Sequence, residues 1–118
     1  MTDLITVFEP ICREVEGQIK GALGGLAGIV VKSYLPQHWI FVTETETVTF
    51  AVDSKGNASV ANGTSASPDV IIGIDHKYLT EALKTRTRPS FDPKTFDLKF
   101  HTAKGRTAFN FIRKRLGL

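Results

Sequence analysis

The sequence predicts an α+β fold, and three stretches carry that expectation. Between Glu46 and Ile74 the chain reads as strands. Val48, Phe50 and Val52 alternate with Thr47, Thr49 and Ala51, Lys55-Gly56-Asn57 supplies a turn, and Val70-Ile71-Ile72 is apolar on both faces, as a covered strand would be. Ahead of this run, Phe8, Ile11, Cys12, Val15 and Ile19 recur at helical spacing, with Glu9, Arg13, Glu16 and Lys20 around the other side. Behind it come a helix signal, a strand signal and a second helix signal. Helix, three strands, strand, helix, strand, helix is an α+β order.

Taken along the chain, Thr6-Val7-Phe8-Glu9 fits a capping box, and Pro10 falls early enough to be tolerated. The first helix is expected to run to Lys20. Gly21-Ala22-Leu23-Gly24-Gly25-Leu26-Ala27-Gly28 is costly inside a helix, though small residues four apart permit close backbone approach. As a phosphate-cradling loop it lacks both a preceding strand and a Gly-Lys-Ser ending. Pro36 interrupts the next segment, and Trp39-Ile40-Phe41-Val42 starts the sheet, with Thr43 to Glu46 continuing or turning. Glu44 and Glu46 would project about 7 Å apart from one face of a strand. Flanked by threonines, they read as a solvated face rather than as paired catalytic carboxylates. A second strand (Val48 to Asp53) and a third (Ala58 to Gly63) follow. Asp75 is placed to cap a helix carrying Tyr78, Leu79, Ala82 and Leu83. Thr85 to Pro93 is a loop holding Phe91. Phe96, Leu98 and Phe100 alternate with Asp97, Lys99 and His101 as an amphipathic strand. A last helix starts at Thr102 or Ala103, its Ala108, Phe109, Phe111, Ile112 and Leu116 spread over a broad apolar arc.

The length of 118 residues suits one domain. A single cysteine, Cys12, excludes an internal disulfide, agrees with a reducing compartment and reads as a buried apolar side chain. Gly21 to Val31 is only eleven residues long, whereas a membrane span needs about 20. Met1-Thr2-Asp3-Leu4 has no secretory pattern and Arg115-Leu116-Gly117-Leu118 is no peroxisomal address, so a cytoplasmic location is expected. Asn57-Ala58-Ser59 and Asn62-Gly63-Thr64 match the glycosylation sequon but read first as turns. The net charge of +3 divides unevenly: residues 84–118 carry ten Lys or Arg and two Asp, while residues 1–83 carry five basic and ten acidic side chains. The basic third can steer an anionic partner or be a solvated face. His38, His76 and His101 have no metal-ligand spacing, and no nucleophile, Walker or dinucleotide motif is present. Neither a catalytic activity nor a cofactor or metal is expected.

With the elements laid out, the chain from about Trp39 to Leu116 resembles the sterol carrier protein type 2 domain family. The resemblance is carried by the Val48 to Asp53 strand before a Gly turn, by Gly56-Asn57-Ala58-Ser59-Val60 and Gly63, and by Pro68-Asp69-Val70-Ile71-Ile72. It continues through Asp75 with Tyr78, Leu79 and Leu83, then Phe91, then Leu98 and Phe100. It departs at Thr102-Ala103, where the family usually has Gly followed by Asp or Asn. The resemblance implies a five-stranded mixed sheet, covered on one face by helices, with an apolar tunnel between them. The chain would then be a single domain over 1–118, with an N-terminal helical segment at about 6–35 and the sheet and C-terminal helices at about 38–116.

The implied activity is non-catalytic binding or transfer of a fatty acid, an acyl-CoA or a sterol-like lipid. Periodicity gathers Phe50, Val52, Leu79, Leu83, Phe96, Leu98, Phe100, Phe109 and Ile112 on one apolar interior. These, with Phe91, are the expected tunnel lining. Arg106, Arg113 and Lys114 are expected to meet an anionic headgroup or, transiently, an anionic membrane surface. Two other readings stand beside this one. An accessory or dimerisation domain would use the same phenylalanines to close a solid core, and a homodimer is open in either case. A nucleic-acid module would use the basic segment, but its aromatics would have to share an exposed face with Lys and Arg, and here they alternate away from Lys99. No nucleic-acid partner is therefore expected.

Overall fold

The computed structural model describes residues 3–113, with the backbone alone at Phe111 and Ile112. Its elements are α1 (Leu4–Leu23), α2 (Gly28–Ser33), β1 (Gln37–Val42), β2 (Thr47–Val52), β3 (Ala58–Asn62), β4 (Val70–Ile74), α3 (His76–Thr85), β5 (Phe96–Phe100) and α4 (Ala103–Ile112). The five strands form one mixed sheet in the order β3-β2-β1-β4-β5. Only β1 and β4 run parallel. The other three pairings are antiparallel. The molecule is an α+β domain.

Side chains alternate across a strand, so register decides what each face holds. Trp39 lies opposite Phe50 on one side and beside Val70 on the other, and the row continues to Val60 and Phe100. The next row is Asn62, Val48, Phe41, Ile72 and Leu98. The helices cover this face. Phe8 of α1 rests on Phe41 and Phe50, with ring centroids 5.0 and 5.8 Å away. Phe109 of α4 sits 5.5 Å from Trp39 and 5.6 Å from Phe100. Leu79 and Leu83 of α3 join the same buried cluster. On the opposite face, Thr49 Oγ1 donates to the Gly63 carbonyl, where the link from β3 back to β4 begins. Ile40 of that face is buried between Thr49 and Ile71.

Two local expectations are corrected. The first helix is capped not by Thr6 but by Asp3, whose carboxylate accepts from the Thr6 N–H at 2.8 Å. Starting earlier buries Leu4 completely and lets its N–H donate to Glu46 Oε2 at 2.9 Å. It also puts Pro10 inside the helix, where it removes a bond to the Thr6 carbonyl on the exposed side, within reach of water. The second correction concerns the glutamates. Thr43–Glu46 is the turn between β1 and β2, and both carboxylates hold helix N-termini rather than forming a solvated pair. Glu44 accepts from the His76 N–H at 2.6 Å, and Glu46 also meets His76 Nε2 at 2.8 Å. Acceptors at helix starts satisfy N–H groups that have no partner within the helix.

Asp69 ties the sheet to α4. Its buried carboxylate accepts from the His38 N–H at 2.9 Å and from Thr102 Oγ1 at 2.7 Å, with Lys104 Nζ at 3.7 Å. Thr102 in turn caps α4 by accepting from the Gly105 N–H. Gly105 lies so close that a Cβ there would fall 2.6 Å from the Asp69 carbonyl oxygen. Removing the carboxylate strands a half-buried hydroxyl and a half-buried backbone N–H. Asp69→Ala is therefore expected to lower the urea unfolding free energy by about 2–4 kcal/mol. Gly105→Ala, which forces backbone apart, should lose about 1–3 kcal/mol.

Candidate functional site

Two cavities lie along the covered face, on either side of α4. The more apolar one, about 210 Å³, is walled by Ile19 of α1, Val30 and Val31 of α2, Tyr34, Leu35, Gln37, Val52 of β2, and Thr107 and Ala108 of α4. Its one buried polar wall group is already occupied. Gln37 donates to the carbonyls of Tyr34 and Lys104 and accepts from the Trp39 indole N–H. What remains toward the cavity is hydrocarbon.

The second cavity, about 340 Å³, is bounded by Tyr78, Arg88, Asp92, Pro93, Phe96, Leu98, Phe109 and Arg113. Aromatic and aliphatic walls here meet two guanidinium groups and one carboxylate. Arg113 Nε is buried and finds no hydrogen-bond partner among the described residues. An unpaired buried N–H of a cation carries a desolvation cost that an anionic ligand would offset.

The expected lining residues divide between these walls and the core. Phe96, Leu98, Phe109 and Arg113 border the larger cavity, and Val52 borders the smaller. Phe50, Leu79, Leu83 and Phe100 instead pack within or against the core and border neither. Phe96 does not join the interior as expected: it is 49% exposed, because β5 is an edge strand and its first residue overhangs the larger cavity. Phe91 packs edge-on against Tyr78 at 5.6 Å, beneath Lys77, outside both linings. Arg106 is stacked over Phe100 at 4.8 Å. The Ile112 side chain and Lys114 lie outside the described residues. Val31, Tyr34, Leu35, Arg88 and Asp92 carry no sequence signal of a site, since they become neighbours of the sheet and α4 only through folding. The apolar run 29–31 ahead of Pro36 is the nearest thing to a clue.

Among the described residues no group of three or more His, Cys, Asp or Glu is placed to hold a metal ion. No described helix is long and apolar enough to cross a membrane. Comparison with family models, with curated proteins and with solved structures finds no match to this chain.

Cys12 is buried in the α1 core face. Burial, reinforced by Glu9 and Glu16, pushes its thiol up to about 11. The protonated form is thus the folded one at neutral pH. Its reaction with a thiol reagent at about pH 8 should be roughly 100-fold slower than that of a free thiol, and should reach the ordinary rate in denaturant. The raised value also fixes a sign. The stabilisation is complete below the unfolded thiol's 9.0 and is lost as pH rises through about 11, so Cys12→Ala should flatten the alkaline fall in stability.

Proposed function

We propose that this domain is a non-catalytic lipid carrier of the sterol carrier protein type 2 kind, holding a single-chain lipid such as a fatty acid or acyl-CoA. The observation that carries the reading is the cavity of about 210 Å³, whose exposed lining is almost wholly hydrocarbon. Hydrocarbon left facing water in such a space forgoes about 25 cal/mol per Å² of burial, in a domain whose total stability is about 5–15 kcal/mol. A protein gains from filling it with side chains unless something else fills it.

Ligand sites usually measure about 300–1,000 Å³. The smaller cavity alone falls short, but together with its neighbour across α4 the space is adequate. The attachments of α4 favour joining them. Among the described residues, its hydrogen bonds to the rest of the chain lie at its first turn, through Thr102, Lys104 and the Gln37 amide. Farther along, Ala108 and Phe109 are held by packing alone among the described contacts. Swinging the distal half of α4 outward would connect the two spaces. The acyl chain would occupy the hydrocarbon side and the anionic head the side of Arg88 and Arg113.

Two experiments test this. Ala108→Phe fills the smaller cavity from its α4 wall; it should weaken binding of a fluorescent long-chain fatty acid more than about tenfold while leaving the melting temperature equal or higher. In delipidated wild type, fatty acid at 100 times its Kd should add about 2.7 kcal/mol of stability, read as several degrees of melting temperature. If no fatty acid, acyl-CoA or sterol moves the midpoint, and Ala108→Phe is destabilising as overpacking would be, the interior is closed and the domain is an interaction module.

Head recognition has its own check. Losing a charge-assisted hydrogen bond costs about 1.5–3 kcal/mol. Arg113→Gln should therefore weaken a fatty acid by about tenfold or more and leave the corresponding fatty alcohol nearly unchanged. Equal losses for both would remove Arg113 from the head site.

A further inference from the structure

The most exposed apolar side chains of the described molecule are gathered at one place. Leu26 is 107% exposed, Ile29 88% and Val30 59%, in and after the link between α1 and α2. A value above full exposure means that no neighbouring side chain shades Leu26. The local backbone explains the projection. Gly24 ends α1, and Gly28 then approaches the end of that helix so closely that a Cβ would lie 2.4 Å from the Leu23 carbonyl oxygen. The chain doubles back there, and residues 25–27 stand out as a tip. Nothing in the fold requires a branched aliphatic at 26 or 29; serine or lysine would cost no packing.

The surroundings of the tip are cationic. Residues 17–43 contain Lys20 and Lys32 and no Asp or Glu. The turn between β2 and β3 lies beside it, since Ser54 shares a surface hollow with Leu23, Gly25, Gly28, Ile29 and Lys32. A Cβ at Gly56 would also touch Ile19, Leu23 and Lys20. That turn adds Lys55. Its one carboxylate, Asp53, is engaged by the backbone N–H groups of Lys55 and Asn57 and by the Asn57 amide. Glu16, farther back on α1, accepts from the Ala58 N–H.

We propose that this tip docks on an anionic phospholipid bilayer, with Leu26 and Ile29 entering the headgroup–acyl boundary and Lys20, Lys32 and Lys55 resting among the phosphates. Three branched aliphatics on a convex turn are too small for a stable protein partner, which needs about 1,000 Å² or more of fitted surface. A bilayer needs no fitted surface; it takes apolar area plus neighbouring positive charge. The position has a consequence for the lipid-carrying reading that this proposal extends. Val30 belongs both to the exposed tip and to the wall of the apolar cavity. Docking would set that wall against the membrane, giving a lipid a short path between bilayer and cavity.

The test is vesicle co-sedimentation of the full chain, with phosphatidylcholine alone or containing about one-third phosphatidylserine, at low and high salt. Wild type should bind the anionic vesicles about 10–100-fold more tightly than the neutral ones, with the difference shrinking in salt. The double change Leu26→Ser and Ile29→Ser should weaken that binding at least about tenfold. Because both side chains are exposed, its melting temperature should be unchanged. Lys20→Gln with Lys32→Gln should remove most of the preference for anionic lipid. Leu26→Trp gives an independent readout, since a tip tryptophan should shift to shorter emission wavelength on adding vesicles while the buried Trp39 does not respond.

Affinity for soluble fatty acid, measured without vesicles, should be the same in the double serine variant as in wild type. Failure of cavity binding and failure of docking are thereby read separately. Undiminished vesicle binding by the double serine variant, or no emission shift from Leu26→Trp, overturns the proposal. So does a concentration-dependent dimer that the serine changes dissolve while vesicles are ignored, because the tip would then be covered by a second copy of the chain.

Discussion

The carboxylate of Asp69 is the joint on which the architecture turns. It stands at the start of β4, bonds the His38 backbone of the parallel neighbour β1, and holds the hydroxyl that caps α4. Parallel strands gain no register from a tight hairpin, so something outside the ladder has to fix it. Here one buried acid does so, and its Thr102 bond sets where the last helix begins. Lys104 adds a cation at 3.7 Å while donating to the Pro36 carbonyl, which brings the segment before β1 into the same junction. Breaking one contact leaves partly buried polar groups behind on several elements at once. That explains why so small a network can govern so much backbone.

From that joint the covered face fills outward, unevenly. A chain of rings, Phe8, Phe41, Phe50, Trp39, Phe109 and Phe100, crosses the middle of the sheet with centroid separations of 5.0 to 6.3 Å. It is a solid core by any measure of contact, and it accounts for Phe50 and Phe100 without reference to a ligand. The incomplete filling lies on both flanks of this ridge, where the walls are β-branched or short, as with Val31, Val52 and Ala108, or end in charge, as with Arg88 and Arg113. Solid-core and carrier readings are therefore statements about different parts of one interior.

How much was legible from residues alone follows from the range of the forces involved. The strands are legible because alternation, as in Val48, Phe50 and Val52, or a continuous apolar run, as in Val70-Ile71-Ile72, is a local record of burial, and Asp75 is legible because a cap acts within three residues of itself. Asp3 is not legible as the cap because the Thr6–Glu9 pattern imitates one equally well, and what decides between them is the burial of Leu4 against the sheet. Glu44 and Glu46 looked solvated for the same reason: their partners, His76 and Leu4, are 32 and 42 residues away. Phe96 has the same periodicity as Leu98 and Phe100, yet periodicity gives the direction of a side chain and says nothing of whether a helix lies above it. The cavity walls were the least legible. Ile19, Val31, Val52 and Ala108 come from four elements, and a void between them is a property of no one segment.

The apolar cavity is bounded by two lightly anchored pieces of the described molecule. On one side stands α2, six residues long, joined to α1 through a glycine-rich link and presenting Val30 and Val31. On the other stands α4, fastened at its capped start and resting on hydrocarbon beyond it. The sheet and α1 between them are rigid by comparison, tied by aromatic packing and by the Glu46 and Glu16 bonds to backbone N–H groups. Local stability is lowest where buried contacts are fewest, and elements that must move are drawn from that end. A cavity with one wall of this kind could be a packing defect at the edge of a core. A cavity with two opposed walls of this kind, one ending in exposed aliphatic side chains beside lysines and the other shared through α4 with the neighbouring cavity at Phe109 and Arg113, is the part of the interior whose shape the fold holds least tightly.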